Sequence, residues 1–101
     1  MGSTAEKFAH TLEMLNQAAT AHSLNAIASQ LLLCENIKSD KMFEFNDMVA
    51  TYLYGSSDVR LSDVISYLSP LELTPNCRSI VDYHIWVLKQ QPQDQFPEKT
   101  V

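Results

Sequence analysis

Apolar residues recur along this chain at steps of three and four, the spacing of one face of a helix. Phe8, Leu12, Leu15 and Ala19 form the first such stripe. Leu24, Ile27 and Leu31 form the second, rotated roughly 100–160° from Phe8 at about 100° per residue. Two helices with a break near His22 and Ser23, Ser23 serving as N-cap, account for the rotation. A third stripe holds Met42, Phe45, Val49 and Tyr52, with Ser39 or Asp40 as the predicted cap. Gly55 follows, where a helix end favours a residue at positive φ. Leu61, Val64, Ile65 and Leu68 predict a short helix closed by Ser69-Pro70, because the residue before a proline disfavours the helical region. Thr74-Pro75 predicts the next start, an N-cap followed by proline at the first helical position. That last helix should run to about Gln91, just before Pro92.

The pattern predicts an all-α chain, a small bundle of four or five short helices. Only two glycines occur, Gly2 and Gly55, too few for strands joined by tight turns. Residues 1–91 read as a single helical domain. The segment 92–101 carries two prolines and few apolar groups and is expected to be a disordered tail.

The last helix carries the candidate chemistry. With Cys77 at zero on a helical wheel, Ile80, Val81, Tyr83, His84, Ile85, Val87 and Leu88 fall within an arc of roughly 200°. So wide an arc in so short a chain predicts a second contact surface and a homodimer. His84, Val81, Leu88 and Ile80 are expected in the core or at that dimer contact. His84 reads as structural, its nitrogens meeting a backbone carbonyl or a tyrosine hydroxyl. Cys77 precedes it by two turns, roughly 10 Å along the axis, too far for a Cys–His dyad. No two histidines stand at i and i+4, so no metal site and no catalytic residue is assigned. Trp86 lies about 160° from His84, on the polar side. Tryptophan there suits a contact with another protein. Tyr83, Tyr54 and Phe43 join it as candidate partner-binding residues, Phe43 because it cannot share the face of Phe45.

Charge narrows the partners. Twelve acids against seven bases give a net charge of −5, and no cluster of Lys and Arg appears. Affinity for nucleic acid comes mostly from neutralising phosphates, so nucleic acid is an unfavoured partner. The competing reading takes residues 61–91 as a helix-turn-helix of a DNA-binding regulator. Its would-be recognition helix has only Arg78 in its first turns, with Asp82 behind it, and the link Ser69–Thr74 is long for that motif. The run "LLLC" is too short to span a bilayer. "MGSTAEKFAHTLEML" is amphipathic and lacks the apolar core of a signal peptide. A cytoplasmic protein is expected, with Cys34 and Cys77 as reduced thiols; a disulfide between them would require an oxidising compartment.

The segment "FNDMVATYLYGSSDVRLSDVISYLSPLE" followed by "SIVDYHIWVL" resembles the small enterobacterial biofilm-development and acid-resistance regulators of the AriR type, also described as two-component-system connectors. Val49, Leu53, Gly55, Asp58, Val59, Val64, Leu68, Glu72 and the apolar face of Ile80 to Leu88 carry the likeness, over some sixty residues. The chain departs from that pattern just after the turn, at Arg60-Leu61-Ser62, and in its longer N-terminal helix. The resemblance implies a homodimeric helical protein that modulates a regulator or sensor by contact. The residues themselves lead to the same expectation: a non-enzymatic regulatory protein, without cofactor, acting as an adaptor, antiactivator or connector.

Overall fold

The computed structural model describes residues 4–55 and 58–91, and these form four helices and no strand. The chain is all-α. Helix α1 spans Thr4–Leu33, α2 Ser39–Tyr54, α3 Leu61–Leu68 and α4 Pro75–Lys89. The predicted tail, 92–101, lies outside the described residues.

α1 corrects the expected break at Ser23. It is one helix of 30 residues. Neither Gly nor Pro interrupts it, and alanine and leucine, strong helix formers, make up much of its length. Ser23 does not cap a new helix; it is buried in mid-helix. The rotation of the apolar stripe therefore marks a change of surroundings along one rod. From Thr20 onwards the helix buries Thr20, Ser23, Leu24, Ile27 and Leu31. From Thr4 to Leu15 every residue is exposed. At about 1.5 Å per residue the helix is roughly 45 Å long. The molecule measures 55 × 26 × 17 Å, and the long dimension follows from this helix.

Smaller corrections concern helix ends. The N-cap of α2 is Lys38, one residue before the predicted Ser39; its carbonyl accepts from Lys41 and Met42. Gly55 ends α2 at φ −101°, not at positive φ. Its reason is proximity: a Cβ there would lie 2.9 Å from the carbonyl oxygen of Thr51. At α3 the Asp63 carboxylate accepts from the Arg60 amide at 2.9 Å, half of a capping box. Thr74 is extended and caps α4, with Pro75 in the first turn, as expected. α4 ends at Lys89, two residues before the predicted Gln91.

The core is continuous. Leu24, Ile27 and Leu31 of α1 meet Phe45, Val49 and Tyr52 of α2, Leu61, Val64 and Leu68 of α3, and Val81, Ile85 and Leu88 of α4. Each fully buried Leu, Ile or Phe contributes about 1.5–3 kcal/mol through loss of apolar surface to water. α4 packs mainly on α1, α2 on α1, and α3 on α2.

Cys34 and Cys77 are joined by a disulfide, with Cα atoms 6.1 Å apart and both residues buried. This overturns the expectation of reduced thiols. The physical reason is topological. Cys34 follows the last turn of α1 and Cys77 sits in the first turn of α4, so α4 must turn back along α1 and bring the two sulfurs together. Residues 43 apart in sequence are then linked, a pairing that their separation alone could not reveal.

Candidate interaction surfaces

α4 buries a narrower face than its composition suggests. Cys77, Val81, Ile85 and Leu88 are buried, a stripe at steps of three and four. Val81 and Leu88 are completely enclosed. Ile80 lies outside that stripe, on an exposed flank. Tyr83 and Trp86 are 60% and 61% exposed, and both extend an aromatic surface into solvent. Tyr54 ends α2 and Phe43 lies in its first turns; both are strongly exposed. They stand on a different helix from Tyr83 and Trp86, and α2 and α4 are each seated mainly on α1.

His84 occupies the border between the two faces of α4. It is half-buried, and the Tyr83 ring meets it edge-on with centroids 5.1 Å apart. Its Nδ1 is buried and finds neither the carbonyl nor the hydroxyl expected for it among the described residues. Burial lowers the His84 pKa, because the charged imidazolium is the form that loses solvation; repulsion from His22 on α1 lowers it further. The neutral ring is therefore the form this site favours.

Arg78 has a role that the sequence pattern did not reveal. Its guanidinium donates to the carbonyl of Leu68 from both Nη atoms at 3.3 Å, to that of Ser69 at 3.4 Å, and also to that of Leu71. It pairs with Asp82 at 3.2 Å. The carbonyls at the end of a helix have no partners within the helix. A planar fork of donors satisfies several at once. Arg78 thus fastens the end of α3 and the linking turn to α4. A phosphate would have to compete with all of these contacts.

A shallow groove is lined by Ile37, Lys38, Lys41, Tyr67, Pro70 and Leu71. The Tyr67 hydroxyl there donates toward the Lys41 carbonyl at 3.2 Å and the Glu44 carboxylate at 3.3 Å. Burial first, then the Glu44 charge and hydrogen bond, raise its pKa, so the phenol keeps its proton. Nothing in the groove pairs a nucleophile with a base. Among the described residues no group of three or more His, Cys, Asp or Glu is placed to hold a metal ion, and no helix is long and apolar enough to cross a membrane.

A run of exposed apolar residues also lies on α1. Phe8, Leu12 and Leu15 are 69%, 48% and 60% exposed. Their stripe points away from that of Leu24, Ile27 and Leu31, and only one of the two faces the bundle.

Comparison with family models, curated proteins and solved structures finds no match to this chain.

Proposed function

We propose that this chain is a non-enzymatic regulatory protein that acts by contact with another protein, a regulator or sensor, in the manner of an adaptor, antiactivator or connector. The observation that carries this reading is Trp86. A tryptophan 61% exposed on a helix whose opposite face is fully buried costs solvation without contributing to the core. Tryptophan and tyrosine are the residues that most often dominate binding energy at interfaces. Tyr83 extends the same aromatic surface. The likeness to AriR-type connectors points in the same direction, and a homodimer is part of the proposal.

The DNA-reading alternative is less well supported. Arg78, the one cation near the start of α4, is already engaged by three carbonyls and Asp82. We propose the cytoplasm as its location; the Cys34–Cys77 disulfide counts against that reading, because such bonds persist in oxidising compartments.

A pull-down from native lysate tests the reading, with wild type beside Trp86→Ala. A protein retained by the wild type and lost with the variant is the expected result. Equal retention by both removes Trp86 from the interface. A salt-sensitive nanomolar complex with duplex DNA would instead favour the helix-turn-helix reading.

A further inference from the structure

We propose that two copies of this chain pair antiparallel through the free half of α1. The inference goes beyond the contact function above and uses a different surface. A monomer that still binds a partner through Trp86 would sink this seam, and the homodimer with it, and leave the Trp86 contact standing.

The free half of α1 carries a heptad pattern. Ala5, Phe8, Leu12, Leu15, Ala19 and His22 follow one another at steps of three, four, three, four and three. Ala5, Leu12 and Ala19 take one of the two seam positions of a coiled coil, and Phe8, Leu15 and His22 take the other. In an antiparallel pair each position of one kind faces one of the other kind. Leu12 then meets Leu15 of the second copy, Phe8 meets Ala19, and Ala5 meets His22. Each large side chain outside the central leucines faces a small one. The seam is complementary to itself, and a second copy satisfies it without any foreign sequence.

Charge supports the same occupant. The chain carries −5, yet Thr4 to His22 holds only Glu6 and Glu13 against Lys7, two acids and one base, for a net −1. On the wheel all three lie more than about 100° from the centre of the stripe. Two free halves can therefore approach without bringing like charges into the seam, although the remainder of each chain repels its copy.

Nothing described in the same chain covers this stripe. α2, α3 and α4 are committed to the core, and α1 becomes buried only from Thr20 onwards. The seam from Ala5 to His22 is about 26 Å long and about 10 Å wide. That is a small footprint beside the roughly 800 Å² per partner of a standard stable interface. A concentration-dependent dimer follows, rather than a permanent one.

Sedimentation equilibrium of the whole protein from micromolar to several hundred micromolar tests the pairing. The wild-type mass should rise from one chain to two across that range. Leu12→Asp should weaken association at least tenfold while the circular dichroism spectrum and thermal melt stay those of the wild type, because Leu12 lies outside the core. Leu15→Lys repeats the test at a second position should the first variant lose its fold. Orientation is read by mixing Phe8→Cys with Ala19→Cys protein and oxidising gently: a mixed disulfide is expected, in excess of either homotypic product. A wild-type monomer at every concentration overturns the proposal. So does a dimer that survives Leu12→Asp and Leu15→Lys, which would put the interface on α4. Preferential Phe8→Cys homotypic cross-linking overturns the antiparallel arrangement.

Discussion

The guanidinium of Arg78 donates to the carbonyl of Leu68, ten residues earlier, at 3.3 Å. One side chain near the start of α4 thereby completes the end of α3. Those two helices pack mainly on different neighbours, α3 on α2 and α4 on α1, and this clamp joins them directly. Arg78→Met keeps most of the aliphatic stem and removes every donor. It should lower stability by about 2 kcal/mol, the range for hydrogen bonds made by a charged group. Arg78→Lys should fall between, since an ammonium cannot present the same planar fork. Urea unfolding decides; an unchanged midpoint in Arg78→Met would mean that water serves those carbonyls equally well.

Reduction of the Cys34–Cys77 bond should destabilise the protein. The link closes a loop spanning 43 positions, and loop-closure entropy of that size corresponds to about 4 kcal/mol, an upper figure. At about 4–8 °C per kcal/mol for a domain of this length, a reductant should lower the melting temperature by up to roughly 16–32 °C. Cys34→Ser with Cys77→Ser should match the reduced protein. A melt indifferent to reductant would show that the bond is absent in solution.

His84 and Trp86 should respond in opposite ways to substitution. His84→Asp places a carboxylate beside the buried stripe of α4 and should cost a few kcal/mol. Trp86→Ala removes an exposed ring and should change stability by no more than about 0.5 kcal/mol. Its effect belongs to partner binding, weakened by on the order of 2 kcal/mol. Thermal unfolding of both variants is sufficient for the stability half. An unfolded Trp86→Ala beside a tolerated His84→Asp would reverse the assignment.

Stability should fall on mild acidification. The folded state holds the His84 pKa below its ordinary value of about 6.5, so the unfolded chain binds the proton more readily than the native one. Stability from this group is complete above about pH 6.5 and declines as the pH drops below it, levelling off below the folded-state pKa. Urea midpoints measured from pH 7.5 to 5 should show the decline, and His84→Gln should flatten it. A wild-type curve that is level or rises toward pH 5 contradicts the assignment.

Spacing made most of the architecture legible. The stripes of α2, α3 and α4 are core stripes, and Ser69-Pro70 and Thr74-Pro75 mark real helix ends. α1 was misread because a stripe identifies a face and not what covers it. Phe8 and Leu24 look equivalent as apolar residues; only the position of α4 shows that one is enclosed and the other open. The Cys34–Cys77 bond and the Arg78 clamp were hidden for a related reason, since each joins residues that become neighbours only after α4 folds back along α1. Trp86 was placed as a candidate from its wheel position, whereas the wheel put Tyr83 within the apolar arc; both are exposed.

The exposed half of α1 has a consequence for helix–coil behaviour. Sixteen residues in water form a marginal helix, because the first turn must be ordered before any hydrogen bond rewards it. Here the buried turns beyond Thr20 are that first turn, held by packing. The exposed arm is then a problem of propagation alone. Its amides should exchange in a gradient, fastest at Thr4 and slowing toward Thr20, instead of opening together. Whatever grips the arm at its free end would halt the unwinding there, and protection would extend back along the arm to the bundle.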